Sequence, residues 1–169
     1  AVGITQTGAI TQAAGAGAVT FNAGAGVITM TQAANNFTGA VILSNNGANN
    51  VAVTDQGAII LGNSSVGTGT FTINAVGITQ DGATTITQAA GAGAATFNAG
   101  AGVITLVGTG NNNFTGAVSL NNSGANNVQV TDLNGIILGT SSVGTGTLTV
   151  SAVGITQTGA ITQAAGAGA

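Results

Sequence analysis

Short apolar runs alternate along this chain with clusters of Gly, Asn and Ser. In residues 37–69 the apolar runs are Ala40–Leu43, Val51–Val53 and Ala58–Leu61, and turn-forming residues separate them. Within such pieces, as in residues 19–22, apolar and polar side chains alternate with a period of two,. The pieces are too short and too closely flanked by Gly for helices. The pattern therefore predicts an all-β chain of short strands joined by turns.

A long internal repeat organises the chain. The sequence of residues 37–69 recurs at residues 114–146, and the two copies differ by substitutions without insertions. The hexapeptide AVGITQ begins at Ala1, Ala75 and Ala152. We divide the chain into repeat 1 (1–74), repeat 2 (75–151) and partial repeat 3 (152–169). No linker or second domain separates the repeats, so we expect a single continuous segment of a longer secreted chain.

Repeat 2 is three residues longer than repeat 1. Two of these residues lie within 78–88, which correspond to residues 4–12, and the third lies just before Phe114. Both insertions fall among Gly, Asn and Thr. We expect them in turns, where chain length varies with little effect on the fold.

The repeat predicts a parallel β-helix, a form of β-solenoid, in preference to a sandwich. About nine strand-like pieces per repeat, at three per turn, give about three coils per repeat and near seven coils in all. Coils spaced about 4.8 Å apart would make the chain about 33 Å long. Similar residues recur from coil to coil, so Val, Ile, Leu, Ala and the five Phe would stack inward. Thr, Gln and Asn would point outward and bond to their counterparts above and below.

The composition excludes several classes of function. The chain contains no Lys, Arg, His or Cys, and its formal charge of -3 comes from Asp55, Asp81 and Asp132. Because phosphate neutralisation supplies most nucleic-acid affinity, we expect no nucleic-acid partner and no anionic membrane surface as a partner. The longest apolar runs are far shorter than the about 20 residues that span a bilayer, so we expect no membrane insertion. The first residues contain neither a basic segment nor a long apolar segment, so we expect no targeting signal within this stretch,.

Residues 112–150, NNFTGAVSLNNSGANNVQVTDLNGIILGTSSVGTGTLTV, carry a resemblance to a known class of proteins. They resemble the repeats of very large bacterial secreted proteins similar to filamentous haemagglutinins and other two-partner-secretion or autotransporter-like adhesins. The resemblance covers essentially the whole chain. It implies a right-handed parallel β-helix that is exported and used as a shaft at the bacterial cell surface.

The sequence offers little catalytic chemistry. Ser and Thr are plentiful, but no His, Lys, Cys or Glu is present to activate them,. Asp55 and Asp132 occupy the same repeat position and would lie a full repeat apart, too far for a carboxylate pair. Each could bind a cation with nearby Asn oxygens, or each could hydrogen-bond its own turn, which we favour. We expect no enzyme, no cofactor, no metal site and no small-molecule substrate.

Two binding surfaces remain as alternatives to a purely structural role. Thr70-Phe71-Thr72 and Thr147-Leu148-Thr149 resemble the threonine rows of ice-binding β-helices, but they occur once per repeat. A glycan-binding face would need exposed aromatic rings, whereas the five Phe lie in apolar strand contexts. The Gly-rich stretch 12–26 lacks the Lys of a phosphate-binding loop, so tight turns explain its glycines.

We therefore predict a structural shaft of a giant extracellular repeat protein that forms a rigid rod, fibre or sheath. Its partners would be identical repeats, stacked end to end and also packed side by side, because no like charges oppose contact. Lateral contact would extend the Asn and Gln ladders from one rod to the next. The alternative is a glycan- or ice-binding module presented on a β-helix face.

Overall fold

Nineteen short strands form in the computed structural model, which describes residues 2–166, and these residues contain no helix. The strands are β1 (Gly3–Thr5), β2 (Val19–Gly24), β3 (Val27–Met30), β4 (Val41–Asn45), β5 (Val51–Thr54), β6 (Ile59–Leu61), β7 (Ser64–Val66), β8 (Phe71–Asn74), β9 (Ile78–Gln80), β10 (Ile86–Gln88), β11 (Ala95–Asn98), β12 (Ile104–Leu106), β13 (Val118–Asn121), β14 (Val128–Thr131), β15 (Gly135–Leu138), β16 (Ser141–Val143), β17 (Leu148–Ser151), β18 (Gly154–Gln157) and β19 (Ile161–Gln163). Residue 1 and residues 167–169 lie outside the described range.

The strands build two parallel sheets that face each other across the core. Sheet 1 has the order β1-β3-β5-β8-β11-β13-β15-β18, with β16 and β19 attached at its side. Sheet 2 has the order β10-β7-β4-β6-β9-β12-β14-β17, with β2 attached to β4. Most strands pair with strands of the coils before and after them, and β1, β2, β10, β17, β18 and β19 pair on one side. The predicted parallel β-solenoid is therefore confirmed for the described residues.

The register fixes how many turns one repeat makes. Successive strands of a sheet are separated by between 19 residues, as from Gly135 to Gly154, and 26 residues, as from Ile78 to Ile104. Ile4 in β1 and Ile155 in β18 are equivalent residues two repeats apart, and their eight-strand path contains seven steps. Seven coils are thus confirmed, at about 33 Å in total. One repeat makes three and a half turns.

The half turn moves every repeat position to the opposite sheet in the next repeat. Ile4 lies in sheet 1, Ile78 in sheet 2 and Ile155 in sheet 1 again. Val51 lies in sheet 1, whereas its equivalent Val128 lies in sheet 2. The solenoid therefore has an approximate twofold screw axis. One repeat is related to the next by a rotation of about half a turn and a translation along the rod.

The core is a continuous apolar column between the two sheets. Inward side chains alternate with outward ones along most strands, as predicted,. The five Phe are at most 8% exposed, which confirms that they are buried. Phe71, Phe97 and Phe114 form an edge-to-face series with centroid distances of 5.6 and 5.8 Å, an arrangement that aromatic rings favour.

Several glycines lie where the backbones of successive coils come very close together. A Cβ on Gly116 would overlap the carbonyl oxygen of Gly93 in the preceding coil.

We expect Gly116→Ala to destabilise the fold by about 3 kcal/mol, because the backbone of one coil must move to admit the methyl group. Thermal unfolding followed by circular dichroism measures this loss.

Gly82→Ala is the matched control, because a Cβ there would meet nothing within 4 Å. Its melting temperature should stay close to that of the unmodified chain. Equal melting temperatures for the two variants would contradict close coil contact at Gly116.

Candidate functional site

Two rows of polar side chains cover the outer surface of sheet 1, which we call face 1. The first row follows the register Thr5, Thr29, Ala52, Thr72, Thr96 and Ser119. The second row follows Thr54, Asn74, Asn98, Asn121 and Ser142. Asn98 donates from Nδ2 to Asn74 Oδ1 at 2.8 Å, and Asn121 donates to Asn98 at 2.8 Å. The predicted outward Asn ladder is present on this face.

The outer surface of sheet 2, face 2, carries the equivalent rows. Its first row is Ile60, Thr79, Thr105, Gln129 and Thr149. Its second row is Asn22, Ser44, Ser65 and Thr87. Because one repeat makes a half-integral number of turns, Thr79, Thr105, Gln129 and Thr149 are the repeat equivalents of Thr5, Thr29, Ala52 and Thr72. The two faces therefore carry equivalent repeat positions on opposite sides of the rod, with some different residues: Gln129 replaces Ala52, and Ser44 replaces Asn121, so the Asn ladder belongs to face 1.

These rows bear on the ice-binding alternative. Threonines occur on more coils of face 1 than the sequence suggested, but the row beside them consists mainly of Asn. The arrangement on neighbouring coils is Thr72-x-Asn74 and Thr96-x-Asn98, not a double row of Thr. The five buried Phe leave no aromatic ring on either face for a glycan to stack on.

A shallow cleft of about 250 Å³ opens beside the Asn ladder and is lined by Asn98, Gly100, Asn121, Asn122, Ser123 and Ser142. Its polar groups are largely engaged with one another. Asn121 Oδ1 accepts from the Ser142 amide at 3.0 Å, and Asn122 Nδ2 donates to the Asn126 carbonyl at 2.8 Å. The cleft contains no charged side chain and no aromatic side chain, so it offers little to a small ligand.

Buried amide side chains form hydrogen-bond networks inside the solenoid. Asn112 is fully buried, and its side chain forms a reciprocal amide pair with Gln80 at 2.8 and 2.9 Å. Its Oδ1 also accepts from the Ile86 amide at 2.8 Å, and its Nδ2 donates to the Leu106 carbonyl at 3.1 Å. Asn112 therefore joins strands of two coils at a corner that the backbone ladder cannot close alone.

The same arrangement recurs one repeat earlier. Asn35 is fully buried and pairs with Gln6 at 2.8 and 2.9 Å. Asn45 and Asn122 are also buried, and each bridges three coils. Sequence reasoning placed Asn on the outside and missed these buried amides. The signal that could have found them is the pairing of Gln6 with Asn35 and of Gln80 with Asn112 in corresponding places of both repeats.

The two aspartates at the repeat position serve turns and neighbouring coils. Asp132 is 7% exposed, and its two oxygens accept from the amides of Asn134 at 2.8 Å and Phe114 at 2.7 Å. Asp55 does the same with Gly57 at 2.7 Å and Phe37 at 2.6 Å. The turn hydrogen bond that we favoured is present at both residues. The second oxygen, which bonds to the preceding coil, was not anticipated.

The three carboxylates do not form a common site. Asp55 and Asp132 are separated by three and a half coils, about 17 Å along the axis, and lie on opposite sides of the rod. Asp81 lies exposed in the turn between β9 and β10. Within residues 2–166 no group of three His, Cys, Asp or Glu side chains is placed to hold a metal ion.

A family model described as repeats of unknown function (DUF5649) matches residues 1–44, 48–121 and 125–169. The chain belongs to this repeat family. Its second and third matches begin 77 residues apart, so one family unit corresponds to one repeat of three and a half turns. No curated protein and no solved structure matches the chain. The link to filamentous haemagglutinins remains a prediction from the sequence.

Within residues 2–166 no helix is long and apolar enough to cross a membrane.

The buried amide of the DUF5649 repeat can be tested at Asn112. We expect Asn112→Ala to destabilise the chain by about 3 kcal/mol, because the Ile86 amide, the Leu106 carbonyl and the Gln80 side chain lose their partner. Chemical unfolding measures the change. Asn46→Ala is the control, since Asn46 is exposed and its side chain makes no hydrogen bond within the described residues. Equal stability of the two variants would refute the structural role of Asn112.

The role of the repeat aspartates can be separated from cation binding. In Asp132→Asn one acceptor oxygen becomes an NH₂ group that faces a backbone N–H, so we expect a loss of about 1–3 kcal/mol. The melting temperature of the unmodified chain should be the same in calcium and in a chelator. Asp81→Asn, in the exposed turn, should change neither the stability of the chain nor its response to calcium. If calcium raises the melting temperature of the unmodified chain but not that of Asp132→Asn, Asp132 binds a cation.

Proposed function

We propose that this chain is a segment of a rigid structural shaft, assembled from DUF5649 repeats, in an extracellular protein of the bacterial cell surface. The observation that carries the proposal is the in-register parallel stacking of seven coils around a continuous apolar core. Two repeats make seven whole turns, so each further pair of repeats continues the sheets in the same orientation. The fold thus lengthens by repetition without changing its cross-section.

Several features of the described chain support a mechanical role. Each coil is hydrogen-bonded to the next along both sheets, and buried amides such as Asn35 and Asn112 bond the corners. No buried side-chain nitrogen or oxygen in the described residues lacks a hydrogen-bond partner. The sequence contains no Lys or Arg, so proteases of trypsin-like specificity have no cleavage site. A stiff rod without trypsin-type cleavage sites suits a shaft that holds an adhesive or assembling part away from a cell.

The bacterial, secreted and adhesive parts of the proposal rest on the resemblance to filamentous haemagglutinins and related adhesins. The faces of the rod offer no catalytic group, since the aspartates lie apart and the chain contains no His, Lys, Cys or Glu. We therefore propose a non-enzymatic role with no cofactor and no small-molecule substrate.

Small-angle X-ray scattering tests the shaft. The natural sequence can be extended in phase by following residues 1–169 with residues 19–169, because residues 152–169 repeat residues 1–18. We expect the longer chain to be about 33 Å longer with an unchanged cross-sectional radius. A cross-section that grows with chain length would contradict a rod.

Immunogold electron microscopy of intact source cells tests the location. An antibody to folded rods should label the outside of unpermeabilised cells, and elastase should release the label. Labelling only after permeabilisation would refute the cell-surface location and leave the rod itself standing.

A further inference from the structure

We propose that these rods bind a second copy of the same chain side by side, through face 1 and face 2, and that the contact propagates into layers. The inference rests on the proposed function as a shaft and specifies how shafts would assemble. Its basis is the half turn per repeat, which places equivalent repeat positions, all of them uncharged, on two opposite sides of one rod.

The symmetry decides what kind of assembly results. A rod with one adhesive face forms pairs and stops, because the contact consumes that face. Here a rod that is bound through face 1 still presents face 2, which carries the repeat equivalents of the face 1 positions, several with the same residue, such as Thr105 for Thr29 and Asn22 for Asn98. A second face therefore remains for contact with a further rod. Association continues into a stack of rods.

The chemistry of the faces is suited to contact with an identical surface. The rows of both faces contain Thr, Ser, Asn, Gln, Ala and Ile, and no charged residue. No like-charge repulsion opposes their approach. In the ladder, Asn98 and Asn121 each donate one hydrogen bond from Nδ2. Because an amide nitrogen carries two N–H groups, one remains for a carbonyl or hydroxyl group of the facing copy.

The area of the face sets how long a rod must be. A strand of sheet 1 contains three or four residues and, with a flanking residue, spans about 16 Å, so seven coils present a face of roughly 500 Å²,. A stable interface buries about 800 Å² on each partner. The 169-residue chain falls below that size, whereas the chain extended by residues 19–169 presents roughly 1,000 Å². Lateral association should therefore strengthen sharply with the number of repeats.

Charged substitutions on the faces test the proposal in the extended chain. Thr96 on face 1 and Thr105 on face 2 lie in consecutive strands, and neither side chain makes a hydrogen bond within the described residues. We would compare Thr96→Glu alone, Thr96→Glu with Thr105→Glu, and Gln56→Glu with Leu133→Glu. The last pair adds equal charge at exposed turns between the sheets, on the edges of the rod. Each change is made in every copy of the position.

Sedimentation velocity and negative-stain electron microscopy provide the readout. We expect layers of many rods for the unmodified extended chain and for the edge pair, dimers for Thr96→Glu, and single rods for the face pair. Thr96→Gln with Thr105→Gln, which keeps the faces neutral, should still form layers. Circular dichroism verifies that each variant retains its strands.

Other outcomes would overturn the inference. They are an unmodified extended chain that stays monomeric at its solubility limit, assembly that only the edge pair disrupts, or a single-face variant that still forms layers. If scattering shows a rod that remains single, lateral binding fails and the shaft stands. If the extended chain is not a rod, the proposed function fails as well.

Discussion

The structure depends on hydrogen bonds between successive coils, each formed by residues about 20 positions apart in the chain. A parallel strand has no hairpin partner, so its backbone N–H and C=O groups find their hydrogen-bond partners only in the neighbouring coils. This requirement fixes the register over seven coils at once, since a one-residue slip would turn the apolar side chains outward. The stacking of the Phe rings is a consequence of the same constraint.

Corners are where this ladder is interrupted, and buried polar side chains compensate there. Asn112 and Asp132 each bond backbone groups of more than one coil. A buried backbone group without a partner costs free energy comparable to a lost hydrogen bond, so these side chains specify the path of the turn as well as stabilise it. Amides are suited to the task because one side chain both donates and accepts.

The sequence was sufficient for the strands, the parallel stacking and the buried Phe, because all three follow from local alternation and from the repeat. The half turn was not predictable in the same way. Turn residues such as Gly62 and Asn63 could belong to a strand or a corner, and an uncertainty of two or three residues per coil accumulates to half a turn over one repeat. Burial of Asn35 also escaped prediction, since it depends on carbonyls brought in by other coils, such as that of Thr54.

The insertions that distinguish repeat 2 illustrate how strictly coils depend on each other. They lie 27 residues apart in sequence, yet Thr109 donates to the Gly82 carbonyl from both its amide and its hydroxyl, at 2.9 and 3.0 Å. The two enlarged turns therefore sit on adjacent coils and bulge together, as expected for turns. A single enlarged turn would leave its backbone N–H and C=O groups without hydrogen-bond partners in the next coil. A second enlarged turn on that coil supplies those partners. Length changes in this solenoid are thus tolerated when neighbouring coils change together.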